Sequence, residues 1–202
     1  IIRNAVCIWN NIGLRETPSK DGKWITSLSI GEKCYYLEEE KEVNEENKIV
    51  KYLKIELKDG KSGWIQSDFI FVDGVPGVFI NDAPIYNRPD LLTKTDKFFS
   101  KFDIVGIGRN QDDFYEVKGK RKNGKWIETG WVKKSNISLS DSDIALAKFA
   151  VKALSIEDPI KRKAAIKEIL DNPDFTYSVF LEDLRKEFTK ESDVEEIQEE
   201  NE

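Results

Sequence analysis

The segment GWIQSDFI at 63–70 has a counterpart, GWVKKSNI, at 130–137. Each joins a Gly-Trp pair to a β-branched residue and ends on an Ile six positions after the Trp. A phrase repeated at this distance constrains the chain more than its composition does, because it asks for one small unit built twice. The residues upstream line up as well. AVCIW at 5–9 matches GVFIN at 77–81, Leu14–Pro18 matches Ile85–Pro89, and KCYYLEE at 33–39 stands where FDIVGIG stands at 102–108. VKYLKIEL followed by Asp59-Gly60, and FYEVKGK followed by Asn123-Gly124, each read as a hairpin feeding the Gly-Trp strand. The offset is 72 residues at the front (Val6 to Val78) and 67 at the back (Trp64 to Trp131). The charged stretch EEEKEVNEENK at 38–48 accounts for the difference as a longer loop, since loops absorb length changes at little cost.

Short alternating strands packed into about 65 residues predict a small closed or half-open β-barrel, here two in tandem, 1–74 and 75–140. The period then changes. Ile144, Leu146, Ala147, Phe149, Ala150, Val151 and Leu154 recur at helical spacing after a capping-box-like Ser140–Asp143. Asp158-Pro159 opens a second helix, Asn172-Pro173 breaks it, and a third is expected to hold Phe175, Val179, Phe180, Leu184 and Phe188. The fold class is therefore mainly β with an α-helical C-terminal part over 141–190, a short helical bundle with its own apolar centre. The acidic tail 191–202 is expected to be disordered.

Composition removes several function classes. The chain has no His, so a Ser-His-Asp triad, a Cys-His dyad and a His-based zinc site are all excluded. Carboxylates are too numerous, at 38, for spacing to select a catalytic pair. Neither a cofactor nor a metal is called for, and the expected activity is non-enzymatic. Net charge is −2 over 1–74, +4 over 75–140 and −8 over 141–202, which argues against a nucleic-acid partner. No apolar run approaches the roughly 20 residues of a spanning helix. The chain opens at Ile1 and contains no Met, so an upstream segment, a signal peptide or a lipid-anchoring piece, is expected to have preceded it.

Residues 5–70 resemble the bacterial SH3-like (SH3b) domain. IGLRETPSKDGKWITSLSIGEKC followed by YLKIELKDGKSGWIQSDFI places Ile12, Leu14, Arg15, Pro18, Ile25, Leu28, Gly31, Gly63, Trp64 and Ile70 on that family's slots, with Trp24 where Val is usual. The second unit resembles a divergent copy, keeping Ile85, Pro89, Gly130, Trp131, Val132 and Ile137 but carrying Tyr86 for Arg15 and Phe102 for Gly31. Alignment with Phe79 and Val105 favours inward apolar slots for Cys7 and Cys34 over a disulfide. The resemblance implies a non-catalytic protein of the cell envelope, periplasmic or extracellular, that binds peptidoglycan stem peptides or other short extended peptides. The alternative is a protein–protein adaptor whose helices dock a partner.

Three residues are the candidate ligand contacts. Tyr35 alternates with Cys34 and Tyr36, so an inward Cys34 turns Tyr35 outward as a stacking face. Arg15 can fork onto a peptide carboxylate, or else pin the loop that follows it. Trp24 supplies a further aromatic surface. Trp64 and Trp131, in the same slot of both units, read as structural. Lys118, Lys120, Arg121, Lys122 and Lys125 gather at the second hairpin tip and read as a solvated turn. GIG at 106–108 lacks the strand–loop–helix context of a phosphate loop.

Overall fold

The structure is a computed structural model that describes the backbone of residues 2–199 and the side chains through Lys190. Seven strands make the first antiparallel sheet: β1 (Arg3–Cys7), β2 (Ile12–Arg15), β3 (Trp24–Leu28), β4 (Lys33–Glu45), β5 (Lys48–Leu57), β6 (Ser62–Gln66) and β7 (Ile70–Val72). Seven more make the second: β8 (Val75–Phe79), β9 (Ala83–Tyr86), β10 (Lys94–Phe99), β11 (Ile104–Gln111), β12 (Phe114–Lys120), β13 (Ile127–Lys133) and β14 (Ile137–Ser138). Their orders, β3-β2-β6-β5-β4-β1-β7 and β10-β9-β13-β12-β11-β8-β14, are the same order shifted by seven strands. Both sheets curl into half-barrels.

Strand alternation decides what each half-barrel buries. Leu14, Leu53, Ile55, Leu57 and Ile65 point inward with Cys7, Cys34 and Tyr36. The second core holds Phe79, Phe99, Val105, Ile107, Val117 and Val132, with Phe79 stacked on Phe99 at 4.8 Å between ring centroids. Cys7 and Cys34 occupy these inward slots and no disulfide joins them. The Cys7 thiol donates to the Trp9 carbonyl at 3.1 Å, and burial pushes the Cys34 thiol up to about 12, so it stays protonated.

The charged stretch 38–48 is a strand extension, not a loop. β4 has 13 residues against 8 in β11, and β5 has 10 against 7 in β12. Glu46 and Asn47, both left-handed at φ 49° and 65°, close the hairpin with a two-residue turn whose twist matches its arms. Alternation was invisible there because both faces of the extension meet water, with Lys51 paired to Glu40 at 2.6 Å.

The half-barrels meet along β1 and β8. Val6, Ile8 and Val78 are fully buried although none belongs to an inner core. Phe71 lies against Gly106 and Gly108: a Cβ on either would come within 2.5 or 2.7 Å of its ring, and Lys118 covers it at 5.9 Å. The GIG segment is thus the seat of a phenylalanine, and glycine is needed there for close approach.

Residues 138–202 form a separate compact unit. It contains α1 (Asp141–Leu154), α2 (Pro159–Leu170), a 3₁₀ turn at Pro173–Phe175 and α3 (Leu181–Glu199). Ser140, Asp158 and Asn172 cap the first three by accepting backbone N–H bonds. Phe175, Val179 and Phe180 precede α3 rather than sit in it, because Asn172-Pro173 starts a 3₁₀ turn and Asp143 then draws the chain in. Its buried carboxylate accepts from the Ser138 hydroxyl, the Ser178 hydroxyl at 2.6 Å and Val179 N at 3.1 Å. Asp143 is therefore a tertiary lock, whereas a capping box would have turned it back on Ser140. The expected disorder of 191–202 falls on side chains, and at 200–202 on backbone, outside the described residues.

Candidate functional site

The outward face of the first half-barrel carries one continuous row. Strand register sets Trp24 opposite Arg15, Arg15 opposite Trp64 and Trp64 opposite Lys54. Facing residues of an antiparallel pair share a side of the sheet, so aromatic and cationic groups alternate across four strands. A bulge between Leu14 and Arg15 makes this possible, turning Ile25 inward and leaving Trp24 outward. Gly13, on the same face, has no side chain to intervene. Trp24 Cδ1 and Arg15 Nε lie 3.6 and 3.7 Å from where a Gly13 Cβ would be. Trp24 is 58% exposed and donates through Nε1 to the Ser27 hydroxyl at 3.1 Å, which ties the indole to its own strand.

Arg15 has one fixed tie. Its Nη1 donates to the Gly22 carbonyl at 2.7 Å, pinning the 16–23 loop. The loop is also held by the β4–β5 hairpin: Lys20 N donates to Glu45 at 2.8 Å, and Glu45 also accepts from the Tyr52 hydroxyl at 3.0 Å. Burial, opposed by Gln66 and reinforced by Glu45, raises Tyr52 above the usual tyrosine value, so the phenol remains a donor. Lys54 lies 5.9 Å over the Trp64 ring and bonds Glu39 at 2.8 Å. The result is a preformed shelf in which Trp24 is the free aromatic surface and Arg15, with four of its five N–H groups uncommitted to Gly22, is the cation beside it.

Tyr35 is half-buried rather than exposed. It alternates with the inward Cys34 and Tyr36, and the register sets Asn4 and Glu56 beside it on β1 and β5. Strands β5 and β6 separate it from Arg15, roughly 14 Å at about 4.8 Å per strand. The structure therefore joins Arg15 to Trp24 and sets Tyr35 apart. Lys54, which completes the row, went unread in the sequence; the register implied by Gly63-Trp64 after a Gly turn was the signal that pointed to it. Among the described residues no group of three or more His, Cys, Asp or Glu is placed to hold a metal.

The second half-barrel presents the same positions with other chemistry. Tyr86 and Phe114 replace Arg15 and Tyr52, and they pack edge to face at 5.2 Å beside Trp131. Arg109 lies 5.3 Å over the Trp131 ring and bonds Glu116 at 2.8 Å, which holds that carboxyl below its ordinary value.

No family model and no curated protein matches the chain. Among solved structures it is similar to NlpC2 from Trichomonas vaginalis, at 13% identity and a TM-score of 0.28, covering 83% of this chain and 56% of that one. It is similar also to NlpC1 from the same organism, at 14% identity and a TM-score of 0.27, covering 75% and 53%. The chain thus spans about half the length of these two structures.

Proposed function

We propose that the first half-barrel is an SH3-like peptide-binding module of SH3b type, and that the chain is a non-catalytic, exported protein of the cell envelope that holds peptidoglycan stem peptides. The observation carrying this reading is the placement of an exposed indole and a guanidinium together over Gly13. An extended peptide would stack on Trp24 and offer a carboxylate to Arg15. At about 3.3 Å per residue, four or five further residues reach Tyr35, where a second stacking contact is available. The second half-barrel, with Tyr86 in the Arg15 position, serves as a rigid partner.

Co-sedimentation with purified sacculi, and titration with a soluble stem peptide, test this. Trp24→Ala leaves the fold intact and lowers affinity about tenfold, a stacking contribution of roughly 1–1.5 kcal/mol. Arg15→Lys keeps the charge and weakens carboxylate recognition. Binding of the Trp24→Ala protein equal to the parent rules out this site, and no binding by the parent rules out the wall ligand. The adaptor reading then takes over, favoured by Phe149, Val151, Ile160 and Val179, all more than half exposed on the helical unit.

A further inference from the structure

Within the two half-barrels no described aromatic side chain is more exposed than Trp126, at 78%. It ends the β12–β13 link, Arg121-Lys122-Asn123-Gly124-Lys125-Trp126, which contains no acidic residue. The link is not a loose turn. Gly124 N donates to the Arg121 carbonyl at 2.9 Å, and Arg121 donates to Glu128 at 3.2 Å. Lys97 reaches the same Glu128 at 3.0 Å, and Lys122 N is held by the Asp103 carboxylate at 3.1 Å. Glu128 and Asp103 are therefore spent on fixing the shape of the tip. The Lys122 charge also acts on the Asp103 carboxylate, and among the described residues no salt bridge engages the Lys122 or Lys125 ammonium. Lys118 and Lys120 lie behind them over Phe71 and Trp9, at 5.9 and 5.1 Å.

A solvated turn accounts for the lysines but not for an indole held out in water next to Lys125. A soluble polyanion needs cations only. A lipid interface rewards both groups, because indole settles at headgroup depth while lysines meet anionic headgroups. The segment 75–140 that carries the tip has a net charge of +4, which favours an anionic surface. We propose that the β12–β13 tip docks on an anionic phospholipid surface, with Trp126 at headgroup level and Lys122 and Lys125 against lipid phosphates. This surface is independent of the peptide shelf on the first half-barrel.

The test is co-sedimentation of the full chain with phosphatidylcholine vesicles, with and without phosphatidylserine, beside dextran sulfate as a soluble polyanion. Pelleting is expected only with phosphatidylserine, and raised salt reverses it. Lys122→Ser/Lys125→Ser lowers partitioning about thirtyfold, from roughly fivefold per cation. Trp126→Ala lowers it further and abolishes the blue shift in tryptophan emission seen on adding vesicles to the parent; its exposure makes the substitution harmless to folding, which circular dichroism checks. Absence of phosphatidylserine-dependent pelleting overturns the proposal. So does pelleting unchanged by either variant, or capture of parent and Trp126→Ala alike by dextran sulfate alone, which would assign the tip to a soluble polyanion.

Discussion

The two half-barrels share a strand order yet few side chains, and what they share shows which interactions the topology needs. At the turn after β3, the Glu32 carboxylate accepts Ser29 N at 2.9 Å; after β10, Asp103 accepts Ser100 N at 2.8 Å. Asn10 accepts Ile30 N at 3.0 Å, and Asp82 accepts Lys101 N at 2.9 Å. Gly31 donates to the Cys7 carbonyl and Phe102 to the Phe79 carbonyl, both from left-handed backbone at φ 77° and 71°. Ser29 and Ser100 apart, the residue types differ, while each of these backbone groups finds the same kind of partner. Satisfying buried backbone polar groups is thus the strict requirement, and residue identity is secondary.

The ion pair beside each Gly-Trp makes the same point on the outer face. In the first sheet the cation is on β5 and the anion on β4, Lys54 with Glu39; in the second the signs are exchanged, Glu116 on β12 with Arg109 on β11. Either way the cation lies over the tryptophan. What the rung needs is a positive charge on the indole face and a counter-charge beside it, from whichever strand supplies them.

The largest test of this comparison is steric. Gly63 and Gly130 precede the two tryptophans, and a Cβ would meet the Arg15 backbone carbonyl at 2.6 Å in the first and Ile85 Cγ2 at 2.4 Å in the second. Gly63→Ala should cost about 3 kcal/mol, because backbone must move, and Gly130→Ala about 2 kcal/mol, because a side chain repacks. Chemical denaturation measures both. Equal costs would mean that the Gly-Trp pair is demanded by the core alone.

Next comes the duplicated turn. Asp103→Ala removes the acceptor for two backbone N–H groups, Ser100 and Lys122, and should cost about 2 kcal/mol. Glu32→Ala, on the more exposed turn, should cost about 1 kcal/mol. Reversal of that order would break the equivalence of the two turns.

The exchanged ion pairs give a smaller effect with a distinctive signature. Lys54→Glu should cost about 1 kcal/mol, and adding Glu39→Arg, which reproduces the second sheet's arrangement, should recover most of it. Arg109 holds Glu116 below its ordinary value in the folded state. Its stabilisation is therefore present above the unfolded glutamate range, near pH 4.3, and is lost as pH falls through the lower folded value. Glu116→Gln should flatten that part of the stability–pH curve in urea melts at successive pH values.

Of similar size is the effect at the left-handed position. Gly31→Ala should cost about 1 kcal/mol because L side chains resist this backbone. Phe102 tolerates the same φ in the second copy, with Lys101 5.5 Å over its ring. If Gly31→Ala proved neutral, the strain assigned to Phe102 would be negligible too.

Much of this was legible in the sequence. The repeated Gly-Trp, the alternating YLKIEL and the Asp59-Gly60 turn report local rules, and they located both half-barrels. Asp158-Pro159 likewise placed α2, because caps act within a few residues. Where local signals were weak, the reading slipped. Residues 38–48 lacked alternation because neither face of that hairpin is buried, and the third helix was started early because Asp143, 35 residues before Ser178, holds that segment. What the sequence determined by itself is the pair of sheets, their inward residues and the helical tail, since each follows from periodicity that the chain carries locally. Only the tertiary structure decided that Arg15 and Trp24 meet over Gly13, that Tyr35 is half-buried, that Phe71 sits on Gly106 and Gly108, and that Trp126 stands exposed. Those outcomes depend on register and on close approach between segments distant in sequence, and no local pattern encodes either.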